Sequence, residues 1–231
     1  MPVQEHNLTL PSEGQQLTAF VAHPAAPGPH PGVVVIHEIV GLNENIRDIC
    51  RRFARAGYAA LALDLFSGGF KPLCVFRTIT SVLGGNTDNY GTRHLRQALT
   101  YLSEQPYADA DRLGAIGFCM GGNFALALAN EDKRVKTIAP FYAMTPKPLR
   151  TNVSGLCPVV GSYPEQDFTT KHGRQLDAAL TAANVPHDIK VYPGAKHSFM
   201  NDRGPSYQPE AAADAWQRTL AFFGDHLRST Q

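Results

Sequence analysis

Short, continuously apolar runs alternate along the chain with longer segments in which apolar residues recur every three or four positions. The short runs are typical of strands buried on both faces of a sheet, and the longer segments of amphipathic helices. Strands are predicted at residues 17–22, 32–37, 58–63, 112–117, 135–142, 157–161 and 187–192. Helices are predicted at residues 43–56, 89–104, 121–130, 169–183 and 209–226. This alternation predicts an α/β fold with a mostly parallel central sheet and helices on both faces.

One segment interrupts the alternation. Residues 67–88 contain two glycine pairs, Gly68-Gly69 and Gly84-Gly85, and the apolar stretch 73–83. The segment is longer than an ordinary connecting loop, and its apolar content argues against full exposure. We therefore expect a single domain over residues 1–231 with a small cap-like insertion at about 67–88, and an exposed surface excursion is the alternative.

The composition narrows the class of protein. The chain has 231 residues, of which 43% are apolar and 18% charged, as in one globular domain. Its 21 basic and 20 acidic residues nearly balance, so the chain has no large positive potential that would attract nucleic acid. No apolar run reaches the ~20 residues of a membrane span. The first residues lack a signal-peptide pattern, and the four cysteines form no metal-binding pair. We expect a cytoplasmic protein without nucleic-acid or membrane partners, either a monomer or a small homo-oligomer.

The segment Gly117-Phe-Cys119-Met-Gly121 lies between a predicted buried strand and a predicted helix. That is the context of a nucleophile elbow, a sharp turn that projects its central side chain above the edge of the sheet. The N-terminus of the following helix favours a thiolate through its dipole. The pattern predicts Cys119 as a catalytic nucleophile, and a buried structural cysteine in a tight turn is the alternative.

An elbow nucleophile requires a base and an acid, which follow it in chain order in this kind of fold. Glu165 and Asp167 both come after one predicted strand, and His197 comes after the last one. Taken singly, Asp167 could be a helix N-cap and His197 a surface histidine. Their shared order after Cys119 favours a Cys119–His197–Asp167 triad. The remaining histidines do not pair at metal-ligand spacing, so we expect no metal and no cofactor.

Several of these segments resemble the dienelactone hydrolase (carboxymethylenebutenolidase) family of α/β-hydrolases. The resemblance extends over about residues 32–227 and is carried by Gly117-Phe-Cys-Met-Gly-Gly122, Asp167, Ala195-Lys-His-Ser-Phe199, His37-Glu-Ile-Val-Gly-Leu-Asn43, Asp64-Leu-Phe66 and Gln105-Pro106. It implies the α/β-hydrolase fold and hydrolysis of a small ester or lactone through an acyl-enzyme. It also implies that Glu38 lies beside the nucleophile and influences its charge state, and that the backbone amides of Ile39 and Met120 form the oxyanion hole.

The sequence departs from the family in the region expected to bind substrate. The resemblance implies arginines that hold a substrate carboxylate, one from the cap and one four residues after the histidine. Here the latter position is Asn201, the next arginine is Arg203, and the cap offers Arg77. These three residues are the candidate substrate-binding groups. A carboxylate-bearing lactone, a general carboxylester or thioester, a non-catalytic ligand pocket and a redox sensor based on Cys119 all remain open.

Overall fold

The computed structural model describes residues 1–84 and 86–227. Within these residues the chain forms eight strands, six α-helices and a short 3-10 helix at Lys147–Arg150. The strands are β1 (Val3–Ser12), β2 (Gln15–Pro24), β3 (His30–Ile36), β4 (Ala59–Leu63), β5 (Ala108–Phe118), β6 (Val135–Phe141), β7 (Val159–Gln166) and β8 (His187–Lys196). The helices are α1 (Glu44–Arg55), α2 (Lys71–Gly84), α3 (Tyr90–Ser103), α4 (Met120–Glu131), α5 (Thr170–Ala182) and α6 (Pro209–His226).

All eight strands belong to one sheet with the order β1-β2-β4-β3-β5-β6-β7-β8. β2 pairs antiparallel with both β1 and β4, and every other neighbouring pair is parallel. The strand order changes direction at β3, which has β4 on one side and β5 on the other. In open α/β sheets, ligands bind at the carboxyl ends of the strands near such a point. This topology confirms the predicted α/β-hydrolase fold.

The sheet separates two apolar layers. Because successive side chains of a strand point to opposite faces, Val34 and Ile36 of β3 enter one layer and Val33 and Val35 enter the other. Helices α3, α4 and α5 cover the first layer, and α1 and α6 cover the second. Of the helices in the described ranges, none combines the length and the apolar character needed to span a lipid bilayer.

Two elements differ from the sequence prediction. β1 was not expected, because its exposed edge position leaves it mostly polar; it forms a hairpin with β2 through Glu13 and Gly14, whose φ angles are 50° and 74°. Residues 67–88 contain α2, a helix that packs mainly on α3 and α4 rather than on the strands. The expected cap-like insertion includes residue 85, which lies outside the described residues.

Candidate active site

Cys119 occupies the turn between β5 and α4 with φ 55° and ψ −117°. Its backbone N–H donates to the carbonyl oxygen of Phe141 at 3.0 Å, which fixes the turn to β6. The two flanking glycines are required by close backbone packing. A Cβ on Gly117 would lie 2.7 Å from the backbone nitrogen of Gly122, and one on Gly121 would lie 2.7 Å from the carbonyl oxygen of His37. The Gly-x-Cys-x-Gly sequence therefore allows the turn to approach both β3 and its own helix.

His197 follows β8, and its Nδ1 donates to Oδ2 of Asp167 at 2.7 Å, since a carboxylate can only accept. The same carboxylate accepts from the backbone N–H of Phe168 and from the hydroxyl of Thr169. These bonds fix the orientation of Asp167, whose side chain is only 6% exposed. Thr169 rather than Asp167 is the N-cap residue of α5. Glu165 is exposed and accepts from the backbone N–H of Gly194 at 2.9 Å.

The ring of His197 is held electrostatically and by aromatic contacts. Burial alone would lower the pKa of His197, but hydrogen bonds to Cys119 and Asp167 raise it to about 9. The imidazolium is therefore the main form at neutral pH, and it lies between the thiol and the carboxylate. The Phe168 ring stacks on it with centroids 5.8 Å apart, and the Tyr142 ring contacts it at 4.9 Å.

Three residues at this edge of the sheet have strained backbones. Cys119, Tyr142 and Ser198 have φ angles of 55°, 38° and 62°, a region that residues with a Cβ rarely adopt. Each lies at or just beyond the carboxyl end of a strand, namely β5, β6 and β8. Such conformations cost about 1–3 kcal/mol each and persist where the surrounding structure enforces them. The rest of the fold therefore stabilises an arrangement of these three residues that their local sequence disfavours.

Glu38 lies two residues beyond β3, and its Oε1 accepts a hydrogen bond from the hydroxyl of Ser198 at 2.8 Å. Burial together with the charges of Glu38 and Cys119 raises the pKa of Tyr142 well above its ordinary value. The Tyr142 hydroxyl is thus within electrostatic reach of both the carboxylate and the thiol. His37 fixes the start of this loop, because its Nδ1 donates to the Glu38 carbonyl and its Nε2 accepts from the backbone N–H of Leu65.

A cavity of about 160 Å³ opens beside Cys119. Its lining residues come from two helices and from five loops or turns at the carboxyl edge of the sheet. They are Ile39, Ile79, Cys119, Met120, Asn123, Tyr142, Met144, Phe168, Thr169 and His197. Ile39 and Phe168 are 52% and 59% exposed and form the mouth of the cavity. Within the described part of the chain, the backbone amides of Ile39 and Met120 donate to no other group, so both could donate to a ligand.

The structure places six of the nine sequence-predicted residues at the carboxyl edge of the sheet and three away from the cavity. The six are Glu38, Ile39, Cys119, Met120, Asp167 and His197. Arg77 and Arg203 are exposed and, like Asn201, do not line it. The Oδ1 of Asn201 accepts from the backbone N–H of Arg203 at 3.1 Å and so stabilises a local turn. No group of three or more His, Cys, Asp or Glu side chains in the described ranges is arranged to hold a metal ion.

Other site residues were not anticipated from the sequence. Tyr142 and Met144 follow β6, and Phe168 follows β7, so their positions at strand ends offered the same signal as Asp167 and His197. Ile79 and Asn123 lie within α2 and α4, and no motif distinguishes them from other helical positions. Identifying these two requires the packing of the helices around the cavity.

Comparison with known proteins gives one consistent match. Residues 17–227 match the model of the dienelactone hydrolase family. A Yersinia pestis protein named "Putative carboxymethylenebutenolidase" is 34% identical over 238 residues, which cover 94% of this chain and 87% of that protein. A protein of the same name from Saccharolobus solfataricus is 33% identical, covering 94% and 97%. The crystal structure titled "Putative Dienelactone Hydrolase" from Klebsiella pneumoniae aligns with a TM-score of 0.83 at 31% identity, covering 97% and 99%.

Proposed function

The chain belongs to the dienelactone hydrolase family and is a carboxylic ester or lactone hydrolase, and from this we propose that it acts through a Cys119–His197–Asp167 triad and a covalent acyl-enzyme. The observation that carries the proposal is the position of His197. Its Nδ1 donates to Asp167 at 2.7 Å, its ring lines the same cavity as Cys119, and Cys119 lies close enough to raise its pKa. A nucleophile, a base and an orienting acid in this relation are the parts that acyl transfer needs.

In the first half of the reaction, the Cys119 thiolate attacks the acyl carbon and a carbon–sulfur bond forms. The carbonyl electron pair moves onto oxygen, where the Ile39 and Met120 amides donate hydrogen bonds to it. When the tetrahedral intermediate collapses, the carbon–oxygen bond to the leaving group breaks. The His197 imidazolium gives its proton to that oxygen, and this is consistent with a pKa of about 9, which burial opposes and the hydrogen bonds to Cys119 and Asp167 produce.

In the second half, neutral His197 takes a proton from a water molecule as the water oxygen attacks the thioester carbon. The second intermediate collapses with cleavage of the carbon–sulfur bond, which regenerates the thiolate and the imidazolium and releases the acid. Asp167 keeps the Nδ1 proton in place throughout, so that Nε2 serves the reacting atoms. Glu38, held by Ser198, acts electrostatically on Tyr142 as Cys119 does, and we propose that its negative charge disfavours the thiolate.

The proposal is tested by Cys119→Ala, with Cys157→Ala as the matched control. Burial raises the pKa of Cys157 to about 12, so that this thiol stays protonated and unreactive. With 4-nitrophenyl butyrate, Cys119→Ala is expected to lower kcat by at least ~10³-fold, whereas Cys157→Ala leaves it unchanged. Mass spectrometry after rapid quenching should show an acyl adduct on Cys119. Undiminished hydrolysis by Cys119→Ala would refute the triad.

A cytoplasmic location is part of the same proposal. The cysteines Cys50, Cys74, Cys119 and Cys157 are all free thiols, as a reducing compartment would keep them. Cell fractionation followed by immunodetection should place the protein in the cytoplasmic fraction. Recovery of the protein from an extracellular or periplasmic fraction would contradict this part of the proposal.

A further inference from the structure

We propose that the cavity selects uncharged esters and discriminates against substrates with a carboxylate close to the scissile bond. The proposal rests on the ester hydrolysis proposed above and names the class of substrate for the same site. It differs from the expectation based on Arg77, Asn201 and Arg203, which would hold a substrate carboxylate. Three features of the site support the proposal: the charge of the cavity lining, the direction in which those arginines lie, and the size of the cavity.

The lining offers a substrate almost no polar partner besides the reacting groups. No Asp, Glu, Lys or Arg among the described residues lines the cavity. Two of its three other polar residues are already engaged: the Thr169 hydroxyl donates to Asp167, and Oδ1 of Asn123 accepts from the backbone N–H of Met144 at 2.7 Å. The third, Tyr142, is a buried phenol whose pKa lies well above its ordinary value, so it supplies no charge. The Nδ2 of Asn123 donates to no other group of the described chain, so it can bind a neutral oxygen but supplies no charge.

Among the described residues of the lining, His197 is the one cationic group, and its charge is already matched. Asp167 lies 2.7 Å from Nδ1, and the other ring nitrogen is needed for proton transfer. A substrate carboxylate that paired with that nitrogen would prevent the transfer. A carboxylate elsewhere in the cavity would lose its hydration without gaining a cation, which strongly disfavours its binding.

The geometry of α2 directs Arg77 away from the cavity. Ile79 lines the cavity, and residues two positions apart on a helix are separated by about 200° around its axis. Arg77 is accordingly exposed, and its charge acts on Tyr90 of α3. Arg203 is also exposed, and its charge acts on Glu44 of α1. Neither guanidinium therefore supplies the bidentate partner that a buried carboxylate would require.

The size of the cavity limits the apolar group that it accepts. Its volume of about 160 Å³ resembles that of apolar protein cavities of ~150 Å³ that bind benzene. We therefore expect an apolar substituent about as large as a phenyl ring to be bound next to the scissile carbonyl. The apolar residues of the mouth, Ile39 and Phe168, allow a longer group to extend outward.

The experiment compares two esters that differ only in charge near the scissile carbonyl, 4-nitrophenyl 3-carboxybenzoate and 4-nitrophenyl 3-(methoxycarbonyl)benzoate. The wild-type enzyme is expected to show a kcat/KM at least about 10-fold higher for the neutral ester. Ile79→Arg places a cation in the lining and should reduce that ratio by about 10-fold or more. Thr80→Arg, which adds the same charge at the exposed neighbouring position, should leave the ratio unchanged. Met144→Lys repeats the test from the loop after β6 should Ile79→Arg fail to fold.

Three results would overturn the inference: equal rates for the two esters, a preference for the carboxylate, or a ratio altered by Arg77→Ala or Arg203→Ala. A second measurement separates this inference from the proposed reaction. Phenylacetamide should protect Cys119 against alkylation by iodoacetamide at concentrations at least about 10-fold lower than phenylacetate. If no ester is hydrolysed but this difference appears, the charge selectivity stands and the proposed reaction fails. Equal protection by the two ligands would refute the selectivity.

Discussion

Gly121→Ala is predicted to separate the two backbone amides that we propose as the oxyanion hole. A Cβ at this position would lie 2.7 Å from the carbonyl oxygen of His37 and closer still to that of Ile36, whereas Cβ atoms in proteins do not come within 3.0 Å of such neighbours. Both oxygens belong to backbone and cannot rotate away. The start of α4 and the end of β3 must therefore move apart by several tenths of an ångström at least.

This displacement acts directly on the proposed chemistry. The end of β3 leads to Ile39, and the start of α4 carries Cys119 and Met120. Displacement of a reacting group by about 1 Å costs on the order of 10²-fold in rate. We expect kcat/KM to fall by about 10- to 100-fold and the free energy of unfolding to fall by about 1–3 kcal/mol, the usual cost of overpacking.

Kinetics with 4-nitrophenyl butyrate and urea denaturation measure the two effects. Gly224→Ala is the matched control, because a Cβ on this residue of α6 would meet no heavy atom within 4 Å. It should leave kcat/KM unchanged and stabilise the protein by about 0.5–1 kcal/mol, the ordinary gain from replacing a helical glycine. Wild-type kinetics and stability in Gly121→Ala would show that the turn does not depend on this backbone contact.

The other predictions concern the acid, the base and the nearby carboxylate. Asp167→Asn should lower kcat by up to about 10⁴-fold because the amide no longer fixes the His197 tautomer, whereas Glu165→Gln should lower it less than about 10-fold; reversed effects in steady-state kinetics would make Glu165 the acid. Burial alone would lower the pKa of His197 from 6.5, but hydrogen bonds to Cys119 and Asp167 raise it to about 9, so the stability it contributes is complete below pH 6.5 and lost as the pH rises through about 9. The difference in free energy of unfolding between the wild type and His197→Gln, measured in urea, should therefore shrink by up to about 3 kcal/mol over that interval, and a constant difference would contradict the assignment. Glu38→Gln removes a negative charge near the thiolate and should accelerate alkylation of Cys119 by iodoacetamide at neutral pH, and an unchanged rate would place Glu38 out of electrostatic reach.

The buried strands could be predicted because their environment leaves a strong pattern. β3 is apolar at successive positions since both of its faces are covered, and the prediction for residues 32–37 agrees with His30–Ile36 within two residues. β1 has mostly exposed side chains and left no such pattern. The sequence signal for the hairpin is Gly14, because glycine readily adopts the positive φ that a tight two-residue turn requires. The structure gives both Glu13 and Gly14 a positive φ.

The residues of the candidate site also differ in how well the sequence predicts their positions. Cys119, Asp167 and His197 follow strands, so their meeting at one edge follows from the order of the elements. Which face of α2 borders the cavity depends on its packing against α3 and α4. The sequence of α2 does not reveal that face, because Leu73 and Phe76 are apolar yet exposed. The family resemblance implies a substrate-binding arginine from this segment, whereas the structure brings Ile79 of α2 to the cavity.

The placement of α2 has a consequence for how enzymes of this architecture can diverge. The helix rests mainly on α3 and α4 and forms no part of the hydrogen-bonded sheet, yet it supplies one wall of the cavity through Ile79. Recombination that replaced its 14 residues would leave the strand ends that carry Cys119, Asp167 and His197 in place. Natural selection can thus change the range of compounds that the enzyme accepts while the proposed catalytic residues keep their positions.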